Sequence, residues 1–78
     1  MKKIEIFGTG CPKCKRTEQN VRRAVQELGI EAEVTHVYDQ LEMLKRGITN
    51  TPAVVIDGEV KITGRVPEVD EIKELLST

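Results

Sequence analysis

Aromatic residues are almost missing from this sequence, which has no tryptophan, one tyrosine and one phenylalanine. A chain of 78 residues also has room for only one small hydrophobic core. We therefore expect a single domain over residues 1–78, in which every apolar stripe is needed for the core.

An excess of one charge and long apolar runs are missing as well. Basic and acidic residues are interspersed, and the formal net charge is −1 at pH 7. This balance argues against nucleic acid or an anionic membrane as the main partner. No run approaches the roughly 18 apolar residues of a membrane span, and the charged start at residues 1–5 lacks the apolar region of a signal peptide. We expect a soluble, cytoplasmic protein.

Cysteine is limited to Cys11 and Cys14, which are separated by two residues. A structural zinc site needs four ligands, and two cysteines supply only half of them. In a small secreted protein the pair would form one disulfide staple. In a cytosolic chain, beside a strand and a helix, the same spacing indicates redox or metal chemistry.

The apolar pattern predicts the element order β-α-β-α-β-β-α. Strands are predicted at residues 2–7, 32–38, 53–56 and 59–62, and helices at residues 12–28, between Asp39 and Gly47, and from Pro67 to Leu76. The first two strands must be parallel because a helix connects them. Asp57-Gly58 is a tight-turn sequence that makes the last two strands antiparallel. We predict an α/β fold with a mixed four-stranded sheet and helices on both faces.

Three side chains outside the cysteine motif carry specific expectations. Leu41 and Leu44 are the apolar residues of the short second helix, so we expect both to face the core. His36 is the sole histidine and falls on a predicted edge strand. We expect it to be solvated or half-buried rather than a ligand.

The two cysteines occupy unequal positions. Cys11 lies just before the first predicted helix, where unpaired N–H groups and the helix dipole favour a thiolate over a thiol. Lys13, Lys15 and Arg16 add positive charge to the same turn, although a solvated helix face explains the last two equally well. Cys14 falls on the apolar stripe of that helix. The sequence thus predicts an exposed, activated Cys11 and a packed Cys14.

Several motifs follow one another along nearly the whole chain. A strand and loop lead to Cys11-Pro12-Lys13-Cys14 and a helix, Thr51-Pro52 opens a strand, Asp57-Gly58 turns a hairpin, and Gly64 precedes the last helix. This arrangement resembles the thioredoxin/glutaredoxin superfamily, with its thioredoxin-like fold. In its length and in the Gly-Thr-Gly-Cys run at residues 8–11, the chain is most similar to the small thioredoxin-like redox-active disulfide proteins of archaea and bacteria.

The resemblance implies a thiol–disulfide oxidoreductase that reduces protein disulfides and takes part in electron transport and cell redox homeostasis. By this similarity, Cys11 attacks the substrate disulfide and Cys14 resolves the mixed disulfide. Pro52 is implied to follow a cis peptide bond and to lie against the cysteines. The backbone of Thr51 is then free to pair with the substrate.

Further residues and partners follow from the same resemblance. Pro12, Lys13 and Gly64 are expected to support the active site. The implied partners are proteins with disulfides and a thioredoxin-reductase-like flavoprotein that returns the pair to its dithiol form. We expect no cofactor beyond the redox-active disulfide of Cys11 and Cys14, no metal, and a monomer.

The chain departs from the better-known members of the superfamily at Gly10 and at residues 62–67, and it has a possible counterpart of a thioredoxin residue at Glu5. Gly10 stands where thioredoxins have a tryptophan. Glu5 lies six residues before Cys11, at a spacing comparable to that of the buried acid of thioredoxins, although an acid at a solvated strand end is an equally good interpretation. Residues 62–67 lack the second glycine and the aspartate with which glutaredoxins grip glutathione, so the motif argues against glutathione use.

A copper-chaperone-like module is the main alternative. Such domains also place Cys-x-x-Cys before a helix in a chain of similar length, and thiolates suit Cu(I). Their element order is β-α-β-β-α-β, however, whereas this chain ends on the helical stripe at residues 69–76. Pro12 also stiffens a loop that metal binding would need adaptable. A protein-interaction module without redox chemistry is a third interpretation, and the presence of both cysteines argues against it.

Overall fold

The computed structural model describes residues 2–8 and 12–77. The strands are β1 (Lys2–Phe7), β2 (Ala32–Val37), β3 (Ala53–Ile56) and β4 (Glu59–Thr63), and the helices are α1 (Pro12–Leu28), α2 (Gln40–Lys45) and α3 (Val69–Leu76). The predicted order is confirmed, and most bounds agree within a residue or two. None of these helices is long and apolar enough to cross a membrane.

The strands form one sheet in the order β2-β1-β3-β4. β1 and β2 are parallel because α1 carries the chain back along the sheet between them. β3 is antiparallel to both β1 and β4. The mixed four-stranded sheet predicted from the sequence is therefore present.

Helices cover both faces of this sheet. On one face α1 and α3 pack over a core formed by Ile4, Ile6, Val21, Ala24, Val54, Ile56, Ile62, Ile72 and Leu76. On the other face Met43 of α2 and Ile48 after it pack against three residues of the sheet, which are Phe7, Ala53 and Val55. Alternate residues of β3 point to the two faces. The unbroken apolar run of β3 thus reflects a strand that is buried on both sides.

The turn between β3 and β4 uses the residues that the sequence predicts. Asp57 and Gly58 adopt φ values of 51° and 85°, as a two-residue hairpin turn requires. The Asp57 N–H donates to the carbonyl of Lys3 at 2.8 Å, and its Oδ1 accepts from the Lys3 N–H at 2.9 Å. The turn is therefore fastened to β1 as well as to its own hairpin.

The expected burial of two leucines on α2 is wrong. Leu41 is 60% exposed and Leu44 is 72% exposed, whereas Met43 between them is only 6% exposed. Asp39 does cap the helix, since its carboxylate accepts from the Leu41 N–H. At 3.6 residues per turn a helix of six residues presents one narrow face to the sheet. Met43 occupies that face, and both leucines lie off it.

One end of the sheet gathers the loops that carry the predicted site. Phe7, at the end of β1, pairs with Val37 at the end of β2 and with Ala53 at the start of β3. Ala53 pairs in turn with Thr63, at the end of β4. Gly8, the turn before β3 and the turn after β4 therefore all adjoin this row of residues.

Substitution of neighbouring apolar residues on α2 tests which of them belongs to the core. We expect Met43→Ala to lower the free energy of unfolding by about 2–4 kcal/mol, because it leaves a cavity against the sheet. Leu44→Ala removes an exposed side chain and should change that free energy by less than about 0.5 kcal/mol. Urea unfolding followed by circular dichroism measures both. Equal losses in the two variants would contradict this description of α2.

Candidate active site

Cys14 lies in the first turn of α1, where the cysteine loop enters the helix. Its side chain is 0% exposed. The burial predicted from the apolar stripe of the helix is therefore confirmed. Cys11 lies outside the described residues, so its exposure and activation stay predictions.

The start of α1 has a positive electrostatic character. Within α1 the first turn contains no acidic residue, and Lys13, Lys15 and Arg16 are all exposed. Pro12 occupies the first helical position, where an N–H would have no partner within the helix, so proline costs the helix no hydrogen bond. The helix dipole and these cations together favour a thiolate at this end of the helix.

Gly8 makes room for the sulfur of Cys14. A Cβ built on Gly8 would lie 2.1 Å from the Cys14 Sγ and 3.1 Å from the Cys14 Cβ, whereas carbon atoms in contact lie about 3.5–4.0 Å apart. The Gly8 N–H donates to the Val37 carbonyl at 3.1 Å, which fixes this backbone beside β2. A side chain at position 8 would therefore collide with the sulfur.

The turn before β3 contributes the second part of the site. The Thr51–Pro52 peptide bond is cis, as the family resemblance implies. Pro52 is buried and Thr51 is exposed, and the Pro52 carbonyl accepts from the Gly64 N–H at 3.0 Å. Gly64 has φ of +75°, and a Cβ there would approach that of Asn50 to 3.2 Å. Position 64 thus suits glycine because of its positive φ and the lack of space for a Cβ. The Gly64 N–H links the turn after β4 to the turn at Pro52.

Glu5 has a partner other than the cysteines. Its Oε1 lies 3.4 Å from Nη1 of Arg46, the C-cap residue that follows α2. The Arg46 guanidinium also stands over the ring of Phe7, 5.6 Å from its centroid. Alternation along β1 puts Glu5 and Phe7 on the face covered by α2, whereas α1 covers the opposite face. The hypothesis that Glu5 assists Cys14 gains no support from this geometry.

His36 and Glu18 form a partly buried pair that the sequence pattern did not predict. The His36 Nδ1 lies 2.7 Å from the Glu18 Oε1, and the histidine side chain is only 8% exposed. The hydrogen bond from His36, with help from Arg22, holds the pKa of Glu18 below its ordinary value. The imidazole also stacks on the ring of Tyr38, with centroids 4.3 Å apart. Alternation along β2 places His36 on the same face as Ala32 and Val34, which pack against the core beneath α1. This alternation was the sequence signal that could have predicted the position of His36.

The described residues contain no group of three or more His, Cys, Asp or Glu side chains arranged to hold a metal ion. Cys14 is the one cysteine among them. A soft-metal site of the kind considered above would need Cys11, which lies outside those residues.

A double-mutant cycle tests whether Gly8 is required by the sulfur itself. We expect Gly8→Ala to lower the free energy of unfolding by about 1–3 kcal/mol, because the added methyl group overpacks this point. In a Cys14→Ala background the same change meets no sulfur, so its effect should be much smaller. Urea unfolding of the four proteins gives the coupling energy. An additive cycle would show that Gly8 is needed for some other reason.

Comparison with known proteins agrees with this geometry. A family model of the thioredoxin domain matches residues 2–77. The thioredoxin of Methanothermobacter thermautotrophicus is 48% identical over 77 residues, which cover 99% of this chain and 100% of the relative. The thioredoxin of Methanocaldococcus jannaschii is 48% identical over 75 residues, which cover 96% of this chain and 86% of the relative. The chain therefore belongs to the thioredoxin family, and it is a thiol–disulfide oxidoreductase.

Proposed function

We propose that Cys11 is the nucleophile of this oxidoreductase and that Cys14 is its resolving thiol. The observation that carries the assignment is the complete burial of Cys14 in the first turn of α1. A buried thiol does not meet a protein substrate, but it is placed to attack a sulfur bonded to a cysteine three residues earlier in the chain. Cys11 is then the thiol that reaches the substrate.

Reduction of the substrate takes two exchanges. The Cys11 thiolate attacks one sulfur of the substrate disulfide, and the other substrate sulfur leaves as a thiolate. The Cys14 thiolate then attacks the Cys11 sulfur. The bond between Cys11 and the substrate breaks, the second substrate thiolate leaves, and a Cys11–Cys14 disulfide remains. The substrate disulfide has been reduced and the cysteine pair has been oxidised.

The surrounding residues have separate tasks in this proposal. Pro12 begins α1 and stiffens the loop between the cysteines, and the exposed ammonium of Lys13 adds positive charge that favours the Cys11 thiolate. The backbone of Thr51 pairs with an extended substrate segment beside the buried ring of Pro52. Gly64 holds that turn through its hydrogen bond to the Pro52 carbonyl.

The partners in this proposal are defined by their chemistry. The substrates are proteins with an accessible disulfide, and a thioredoxin-reductase-like flavoprotein restores the dithiol. The protein works as a monomer in the cytoplasm, with no cofactor other than its own disulfide. Support comes from the two thioredoxins to which the chain is similar and from the even mixture of acidic and basic residues.

The rival function is capture of Cu(I) by the same cysteine pair. Copper-chaperone-like domains have the order β-α-β-β-α-β, whereas here α2 lies between β2 and β3. The element order therefore favours thiol–disulfide exchange over metal transfer.

Alkylation of the reduced protein tests the unequal roles of the cysteines. With iodoacetamide at a series of pH values, and sites assigned by peptide mass mapping, Cys11 should react with an apparent pKa well below about 8.5. Cys14 should remain nearly unreactive in the folded protein and become reactive in urea. Equal reaction of both thiols with ordinary pKa values would contradict the assignment, and Cu(I) affinity would then be measured.

Serine variants give the matched functional test of the same proposal. Cys11→Ser should abolish reduction of a disulfide-containing peptide. Cys14→Ser should attack the peptide but stop at the mixed disulfide, which mass spectrometry detects as an adduct on Cys11. If Cys14→Ser turned over at the wild-type rate with the peptide as sole disulfide, Cys14 would not be the resolving thiol.

A further inference from the structure

We propose that His36, oriented by Glu18, accepts the proton of Cys14 when that thiol resolves the mixed disulfide. This inference rests on the proposed function, since it assigns a role to His36 in the second exchange only. Nothing in the first exchange requires His36.

The charge of Glu18 determines the hydrogen-bonding state of the imidazole. Glu18 also accepts from the Arg22 Nε at 3.2 Å, and its lowered pKa keeps it ionised at neutral pH. An ionised carboxylate can only accept, so the hydrogen at the 2.7 Å contact belongs to the His36 Nδ1. In the neutral imidazole the other nitrogen, Nε2, then carries a lone pair and no proton.

The lone pair on Nε2 lies in the protein interior and makes no hydrogen bond within the described part of the chain. The His36 Nε2 is buried, and it has no hydrogen-bond partner among the described residues. Burial of an unpaired acceptor destabilises the folded state. The buried hydroxyl of Thr17, by contrast, donates to the Lys13 carbonyl at 2.8 Å. An unpaired basic nitrogen in the interior is therefore an exception that calls for a function.

The His36 Nε2 lies near the sulfur of Cys14. The point that a Cβ of Gly8 would occupy lies 2.1 Å from the Cys14 Sγ and 3.9 Å from the His36 Nε2. The sulfur and the nitrogen therefore lie within about 6 Å of each other, a separation that one bridging water spans.

The charged groups around the imidazole suit a proton acceptor. On the side of α1 the imidazole faces the carboxylate of Glu18, and Arg22 lies beyond that carboxylate. From the residue after β2 it faces the ring of Tyr38. From β1 its paired neighbour is Ile6, which is apolar. The anion next to the ring is thus Glu18, and it stabilises the imidazolium that forms when the proton arrives.

The proposed step conserves atoms and charge. The Cys14 S–H bond breaks, and its proton moves to the His36 Nε2. The resulting Cys14 thiolate attacks the Cys11 sulfur, the sulfur–sulfur bond to the substrate breaks, and the substrate thiolate leaves. The imidazolium then passes its proton to the leaving thiolate or to solvent, and neutral His36 is restored.

A two-phase exchange experiment tests this step. Reduced protein is mixed with one equivalent of dithiobis-nitrobenzoate, whose coloured thiolate is released once when Cys11 attacks and once when Cys14 resolves. In His36→Gln we expect the first release at the wild-type rate and the second release about a hundredfold slower at pH 7, since general bases contribute about 10²–10⁴-fold. In the wild type the second rate should fall on acidification, because a protonated imidazole cannot accept the thiol proton.

Two control variants separate proton transfer from support of the fold. Tyr38→Leu removes the stacking partner but keeps the base, so the second release should stay within about twofold of wild type. Glu18→Gln keeps an acceptor for Nδ1 but removes the charge. It should slow the second release and shift the midpoint of its pH profile downward, which a merely structural role would not do. If His36→Gln does not fold, the pH profile of Glu18→Gln decides the question.

The possible outcomes distinguish the two proposals. Wild-type second-phase rates and pH profiles in both His36→Gln and Glu18→Gln would overturn the role of His36 and leave the roles of the cysteines intact. A second release that persists in Cys14→Ser, or a first release that persists in Cys11→Ser, would overturn the proposed function itself.

Discussion

The contact between the Cys14 sulfur and the backbone of Gly8 is the constraint on which the site depends. The sulfur occupies the space that a side chain at position 8 would need. Gly8 is hydrogen-bonded beside β2, and Cys14 belongs to α1, so two regular elements rather than a loop fix the sulfur. Thiol–disulfide exchange needs the attacking sulfur in line with the bond that breaks. A rigidly placed thiol therefore loses little entropy on reaching that geometry.

The sequence was sufficient for the fold because most of its signals are local. The four apolar residues of β3 indicated a strand covered on both faces, and the turn at Asp57-Gly58 fixed the hairpin that follows it. α2 shows where local signals fail. Six residues are too few to define a periodic stripe, so the pattern did not reveal that Met43, rather than Leu41 or Leu44, faces the sheet. Burial on so short a helix is decided by the direction in which the chain crosses the sheet.

The same distinction between local sequence signals and tertiary packing applies to the candidate site. The spacing of the cysteines and the dipeptide before β3 are contiguous in the sequence, and they predicted the end of the sheet at which the candidate site lies. The contacts of Gly8, Glu5 and His36 are not contiguous. They depend on how α1 lies on β2 and how Arg46 at the end of α2 meets β1. A hydrophobic pattern specifies which face of a strand is covered, but it does not specify which residue of the covering helix stands opposite a given side chain.

The choice between a carboxylate and an imidazole as proton acceptor has an electrostatic consequence. A carboxylate that took the Cys14 proton would become neutral, so it would have no charge left to attract the thiolate it had produced. A neutral imidazole becomes positive when it takes the proton, and the new imidazolium attracts the thiolate it has produced. Glu18, on the far side of the ring, stabilises that imidazolium at Nδ1, on the opposite edge of the ring from Nε2. The ion pair of Glu5 with Arg46, on the face covered by α2, is consistent with this division of roles.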